Sequence, residues 1–312
     1  MGSMIADKFA AWESECENRF QTLKRNEEEL NRIFIDIYGL QDELTPEVDD
    51  KDVTVRRADL GREIRSLISY AVGCMFGRYS LDVEGLAYAG GAWDAGKYRT
   101  FQPDKDGILP ITDEEYFDDD IVSRFVAFIK TVYGADTLEE NLYFIAETLY
   151  PTGDAPPRAK IRRYFMNDFY KDHVRIYKKR PIYWLLDSGK EGGFRALIYL
   201  HRYHKHTIGL TRADYMHPLQ RMYDAEIERL QTLQTFADAP AKEKSEARKR
   251  VEVLRRKIVE LRAYDPVVSH LAQMEIVLDL DDGVAVNYAK FQDVEVTLLD
   301  GRTAKMNLLA VI

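Results

Sequence analysis

The sequence predicts a mainly α protein of the α+β type: a helical bundle around a small central β-hairpin or sheet, with a long antiparallel helical arm. Three observations carry that expectation. First, apolar residues recur at spacings of three and four along most of the chain, which is the helical period. Second, one stretch breaks that period. Ile182–Leu186 and Phe194–Leu200 are short runs of aromatic and branched residues separated by the glycine-rich Ser188–Gly193, the pattern of a β-hairpin. Within the first run Ile182, Trp184 and Leu186 alternate with Tyr183, Leu185 and Asp187. Both sets are largely apolar, so helices should cover both faces, and a lone hairpin would be marginal in water. Third, two long periodic segments, 211–236 and 241–272, flank a turn at Ala237–Pro240, as the limbs of an antiparallel helical pair do.

Taken in order, Met1–Met4 reads as a cloning scar ahead of an amphipathic helix over 5–38. Phe9, Trp12, Cys16, Phe20 and Leu23, then Leu30, Ile33, Phe34, Ile37 and Tyr38, form its apolar seam. Gly39 and Pro46 end it, and Asp42–Asp52 is an acidic loop. Asp59 can cap the next helix, whose stripe is Ile64, Leu67, Ile68, Ala71, Val72, Met75 and Phe76. The glycines of 77–91 match neither G-x-G-x-x-G nor a Walker lysine motif and read as loop glycines. Residues 92–120, with Pro103, Gly107 and Pro110, read as irregular. Asp113–Asp120 is dense in carboxylates. It could attract a divalent cation, but it lacks EF-hand spacing, and acidic residues ahead of a helix start suit the helix dipole. Helices follow at 120–133 and 137–149, broken at Gly134. Residues 5–150 thus read as an acidic helical domain, with Pro151–Pro157 as boundary. Residues 151–312 form a basic region: the hairpin at 181–200, the helical arm at 211–272, and short C-terminal strands at Ile276–Leu280 and Val294–Leu299, with turns at Asp279–Gly283 and Asp300-Gly301.

Charge sharpens that division. The 312 residues carry a net −9. Residues 1–150 hold 16 Lys/Arg against 31 Asp/Glu, a net of −15, and residues 151–312 hold 28 against 22, a net of +6. A basic back half suggests a polyanionic partner; the alternative is that the two halves attract each other. Arg158–Arg180 contains nine Lys/Arg interleaved with aromatics. If Ile161, Phe165, Phe169 and Val174 face inward on a helix, Arg158, Arg162 and Lys179 face outward. Arg158, Arg162, Arg163, Lys179 and Arg180, with Lys190, Arg195 and Arg202 of the hairpin region, are therefore candidate DNA-binding residues. A solvated basic helix and a buried hairpin with wet ends remain the plain alternatives. His201, His204, His206 and His217 lack the spacing of a zinc site. Cys16 and Cys74 fall on apolar helix faces and read as reduced core thiols of a cytoplasmic protein. No run of about 18 apolar residues suggests a membrane span. Nothing resembles a nucleophilic triad, a nucleotide loop or a metal motif, so no catalytic residue and no metal ligand is assigned.

Several long stretches are similar to one known family. These are Asn26–Val48 (NEEELNRIFIDIYGLQDELTPEV), Ile68–Asp82 (ISYAVGCMFGRYSLD), Asn167–His173 (NDFYKDH), Lys179–Gly189 (KRPIYWLLDSG) and Asp279–Val284 (DLDDGV). Over most of residues 15–290 the chain resembles the C-terminal part of the large adenine-specific DNA methyltransferases of BREX phage-defence systems, the PglX family, with relatives among fused restriction–modification enzymes. The resemblance implies transfer of a methyl group from S-adenosylmethionine to adenine N6 by the whole enzyme. That chemistry uses an Asn/Asp-Pro-Pro-Tyr/Phe motif and a glycine-rich cofactor loop. Neither occurs here: the single Pro-Pro, Pro156-Pro157, lies between Ala155 and Arg158. The resemblance therefore implies a non-catalytic segment without its own cofactor. Its expected partner is double-stranded DNA, with other BREX proteins or phage inhibitors as further candidates. A protein-docking scaffold that assembles other BREX components is the competing reading.

Overall fold

The computed structural model describes all residues except Met1, Ala237 and Leu299. The expectations that touch those three (the first scar residue, the start of the arm's turn and the end of the last strand) lie outside the described residues. The fold is mainly α with a small antiparallel sheet. By its contacts the chain forms two compact units, Met1–Ser69 with Phe128–Lys160, and Tyr70–Ala127 with Ile161–Ile312. Each takes residues from both sides of Pro151–Pro157.

The first unit is helical. α1 spans Ile5–Tyr38 and ends at Gly39, whose left-handed φ of 69° suits glycine. Its start is tied to α4 (Leu138–Leu149): the Asn141 side chain accepts from the Ile5 amide at 2.8 Å and donates to the Ser3 carbonyl at 3.0 Å. α2 (Leu60–Met75) has its first ten residues in this unit and is capped there by Asp59, which accepts from the Arg62 amide at 2.6 Å. The expected seam of α1 is only half right. In the first half Cys16 and Phe20 are buried but Trp12 is exposed; in the second Leu30, Ile33, Phe34, Ile37 and Tyr38 are exposed, and Ile35 is the buried residue.

The second unit is built on the sheet. β1 (Ile108–Pro110), β2 (Tyr183–Asp187) and β3 (Arg195–Tyr199) are antiparallel in the order β1–β3–β2, with Ile108 and Trp184 both registered on Ile198. The hairpin is as expected. β1 was not: it sits in the stretch read as irregular, because a three-residue edge strand ending in proline shows no period. Both sheet faces are buried. Tyr183 and Tyr199 lie against Phe76, with ring centroids at 4.9 and 5.8 Å. Trp184, Leu186, Ala196 and Ile198 join the core formed by the helical arm. That arm comprises α7 (Thr207–Leu210), a π turn over Thr211–Met216, α8 (His217–Thr235) and α9 (Ala241–Met274). Leu219, Tyr223, Val251, Leu254 and Ile258 are its buried seam.

Arg158–Arg180 is two helices, α5 (Pro157–Asn167) and α6 (Phe169–Ile176). The end of the chain corrects one expectation. Ile276–Leu280 is irregular chain leading into a 3₁₀ turn at Leu280–Asp282, not a strand; among the described residues nothing pairs with it. α10 (Gly283–Ala289) follows, then the ribbon of β4 (Val294–Thr297) and β5 (Thr303–Met306). Leu309 then bridges Leu186, and the Ala310 amide donates to the Leu185 carbonyl at 2.8 Å, laying the tail along β2.

Candidate nucleic-acid interface

The sequence put forward eight basic residues, and the fold treats them very differently. Arg162 was expected to face outward. It turns inward instead and grips Asp120 with both guanidinium nitrogens at 2.8 and 2.9 Å, also donating to the Thr112 carbonyl at 2.8 Å. Asp120 is wholly buried and accepts from the Val122 amide at 3.0 Å, so it caps α3 (Ile121–Tyr133) as well. Arg195 pairs with its cross-strand partner Asp187 at 2.9 Å and donates to the Gly189 and Met166 carbonyls. Arg202 donates to the carbonyls of Asp104 and Lys105 at 2.6 and 2.9 Å and lies 4.6 Å above the Trp93 ring. These three guanidinium groups hold the protein to itself. Arg158 makes a two-pronged, exposed pair with Glu139 at 2.7 Å, within the first unit. Arg163 is exposed on α5, and Lys190 is exposed at the hairpin turn, 3.8 Å from Glu191.

The remaining two, Lys179 and Arg180, come together with cations that the sequence reading noted but did not single out. Lys171 and Arg175 of α6, with Lys178 and Lys179 just after it, line one recess together with Tyr170, Val174, Val311 and Ile312. Arg180 follows directly, and all five residues are exposed. Two carboxylates temper the charge: Asp172 lies 2.6 Å from Arg175 and Asp168 3.8 Å from Lys171. The turn that presents the lysines has an unusual backbone. Lys178 and Lys179 take φ of 49° and 62°, consecutive left-handed residues where glycine would be unstrained. Their amides close onto the Arg175 and Val174 carbonyls at 3.2 and 2.9 Å. Cations there also suit the negative end of the α6 dipole.

What fixes this turn is His173. It is buried beneath the turn, and its Nε2 accepts from the Ile182 and Tyr183 amides at 3.2 and 3.1 Å, joining α6 to the entrance of β2. Burial, with the Arg78 charge behind it, pushes its pKa down to about 3, so the ring is neutral and an acceptor. A single histidine in NDFYKDH gave no hint of this in the sequence.

The acidic stretch is also used internally. Asp113 pairs with Arg250 at 2.6 Å and with the buried Lys257 at 2.7 Å. Burial alone would raise the Asp113 carboxyl, but the two cations outweigh it and hold it below the usual range. Arg250 continues to Glu226 at 2.9 Å. Tyr215 donates to Asp119 at 2.7 Å.

All strand pairings among the described residues are antiparallel. The glycine turn at 188–193 joins strand to strand, and the Glu260 carboxylate fills it, accepting from Ser188, the Glu191 amide and the Gly193 amide.

Comparison with known proteins agrees with the motif resemblance. The chain is 50% identical over 287 residues, 91% of its length, to the adenine-specific methyltransferase PglX of Lacticaseibacillus casei strain Zhang. It is 41% identical over 319 aligned residues, 93% of its length, to the adenine-specific methyltransferase BrxX of Escherichia coli O9:H4 strain HS. The chain corresponds to a C-terminal segment of PglX. It spans only about a quarter of each relative, 24% and 26% of their lengths. No protein-family model matches it. Among the described residues no helix is long and apolar enough to cross a membrane.

Proposed function

We propose that this chain is a non-catalytic, DNA-gripping segment of an adenine-N6 DNA methyltransferase of phage defence. S-adenosylmethionine chemistry then belongs to polypeptide that the relatives carry outside the matched quarter. The observation behind the reading is the recess at the end of α6: Lys171, Arg175, Lys178 and Lys179 all line one mostly apolar recess with no Asp or Glu among its lining residues, and the exposed Arg180 follows Lys179 in the chain. Flexible cations on a concave face suit a phosphate backbone, whose neutralisation releases condensed counterions. Arg162, Arg195 and Arg202 are engaged within the protein by Asp120, Asp187 and the Asp104 and Lys105 carbonyls.

A salt titration tests it. Binding of the chain to a labelled duplex, followed by anisotropy between about 50 and 200 mM salt, should weaken linearly on a log–log plot. Replacing Lys178, Lys179 and Arg180 by alanine should lower the magnitude of the slope by about 0.9 for each phosphate no longer neutralised, roughly 2 to 3 in total. Salt-independent binding, no binding, or an unchanged slope in the variant would each remove the basis for the reading.

A further inference from the structure

The second half of α1 carries an apolar face that the described residues leave largely exposed. Leu30, Ile33, Phe34, Ile37 and Tyr38 recur at the spacing of one helix face over two turns, and they are 54, 46, 51, 68 and 69% exposed. Phe34 and Tyr38 stack with centroids 6.5 Å apart. The loop after the helix extends the patch: Leu44 is 54% exposed, and Leu40, Leu44 and Thr45 form a shallow recess with Phe34 and Tyr38. A continuous apolar stripe of this kind marks an interface, unlike isolated surface leucines.

Its rim selects the partner. Residues 27–49 hold eight carboxylates and one cation, Arg32, and Arg32 is paired with Glu29. Such a rim repels a phosphate backbone. It also disfavours a second copy of the chain, because a two-fold dimer on this face would set rim against rim. What fits is an apolar polypeptide strip edged by Lys and Arg. About three quarters of each relative's length lies outside the match, and in those proteins that polypeptide is covalently joined to the matching segment. We propose that this face of α1 docks on the remaining, methyltransferase-bearing part of a PglX-length polypeptide, through an apolar strip with a basic border. The proposal does not depend on the DNA reading, since the two surfaces carry opposite charge.

The test mixes this chain with the part of the Lacticaseibacillus casei PglX that lies outside the matched residues and follows association by titration calorimetry and sedimentation. A one-to-one complex that weakens with salt is expected. Phe34→Asp with Ile37→Asp should weaken it about a hundredfold, the loss expected of central interface anchors. Both side chains are exposed, so circular dichroism should be unchanged; Phe34→Ala with Ile37→Ala, a milder pair, should show a smaller loss in the same direction. No complex with the wild-type chain, or undiminished binding by a folded variant, overturns the proposal. A dimer of the chain alone that these substitutions dissolve also overturns it, and gives the face to a second copy.

Discussion

His173 is the residue on which the presented turn depends. Its neutral ring accepts two backbone amides at the point where α6 hands over to β2, and it stacks on Tyr183 with centroids 4.7 Å apart. Replacing it by alanine removes the acceptor and opens a cavity, which should cost about 2 to 4 kcal/mol at neutral pH by urea unfolding. The pH dependence has a definite sign. The folded pKa lies below that of the unfolded chain, so the ring's contribution is present above about 6.5 and is lost as pH falls toward about 3. The stability gap between wild type and His173→Asn should therefore narrow over that window; a gap constant with pH would mean that the ring is not held neutral by the fold. Gly193 shows the same closeness from the backbone side. A Cβ there would lie 2.4 Å from the Lys257 carbonyl oxygen of α9, so only glycine lets the hairpin turn sit on that helix.

At the scale of elements, one ion pair and one turn carry most of the argument. Asp120 joins the start of α3 to the middle of α5 through Arg162. Arg162→Met leaves a buried carboxylate short of its cation and should cost about 3 to 5 kcal/mol, while leaving the salt slope of DNA binding unchanged in the protein that remains folded. A drop in slope would put Arg162 at the phosphates after all. The Lys178–Lys179 turn makes the opposite case. Glycine at either position relieves left-handed strain, so Lys178→Gly with Lys179→Gly should raise thermal stability by roughly 1 kcal/mol or more and at the same time weaken DNA binding. Stability and binding that fall together would mean the lysines serve the fold. These elements were unequally legible in the sequence. α1, α2, the hairpin and the helical arm announce themselves because their periods are local. β1 does not, since its identity as a strand comes from β3. Ile276–Leu280 has the composition of a strand but no neighbour to pair with. The basic run was visible as a run. Which basic candidates point inward was decided for Arg162 by Asp120 and for Arg202 by the Asp104 carbonyl, 42 and 98 residues away, which no local pattern could report, and for Arg195 by Asp187 just across the hairpin.

For the whole molecule, the contrast between an acidic front and a basic back turns out to be partly spent inside the second unit. Asp113 and Asp120 from the front half neutralise Arg250, Lys257 and Arg162 from the back half, so both sequence alternatives, mutual attraction and a polyanion-facing surface, have residues behind them. Composition therefore overstates the charge left for a partner. Two groups of exposed cations can be compared: those of the α6 recess, and Arg248, Lys249 and Arg255 of α9. On α9 those cations sit among Glu243, Glu246 and Glu252, the first two lining a recess with Glu226 and Arg229; the α6 recess is lined by four cations and no Asp or Glu. Exposed charges of mixed sign screen one another within a Debye length of roughly 8 Å at physiological salt. Reversing Arg248, Lys249 and Arg255 to glutamate should therefore reduce duplex affinity several-fold less than reversing Lys178, Lys179 and Arg180, in one anisotropy series at fixed salt. Equal losses would draw the DNA path over α9 as well, and a larger loss from the α9 variant would move the primary contact there and leave the recess to the fold.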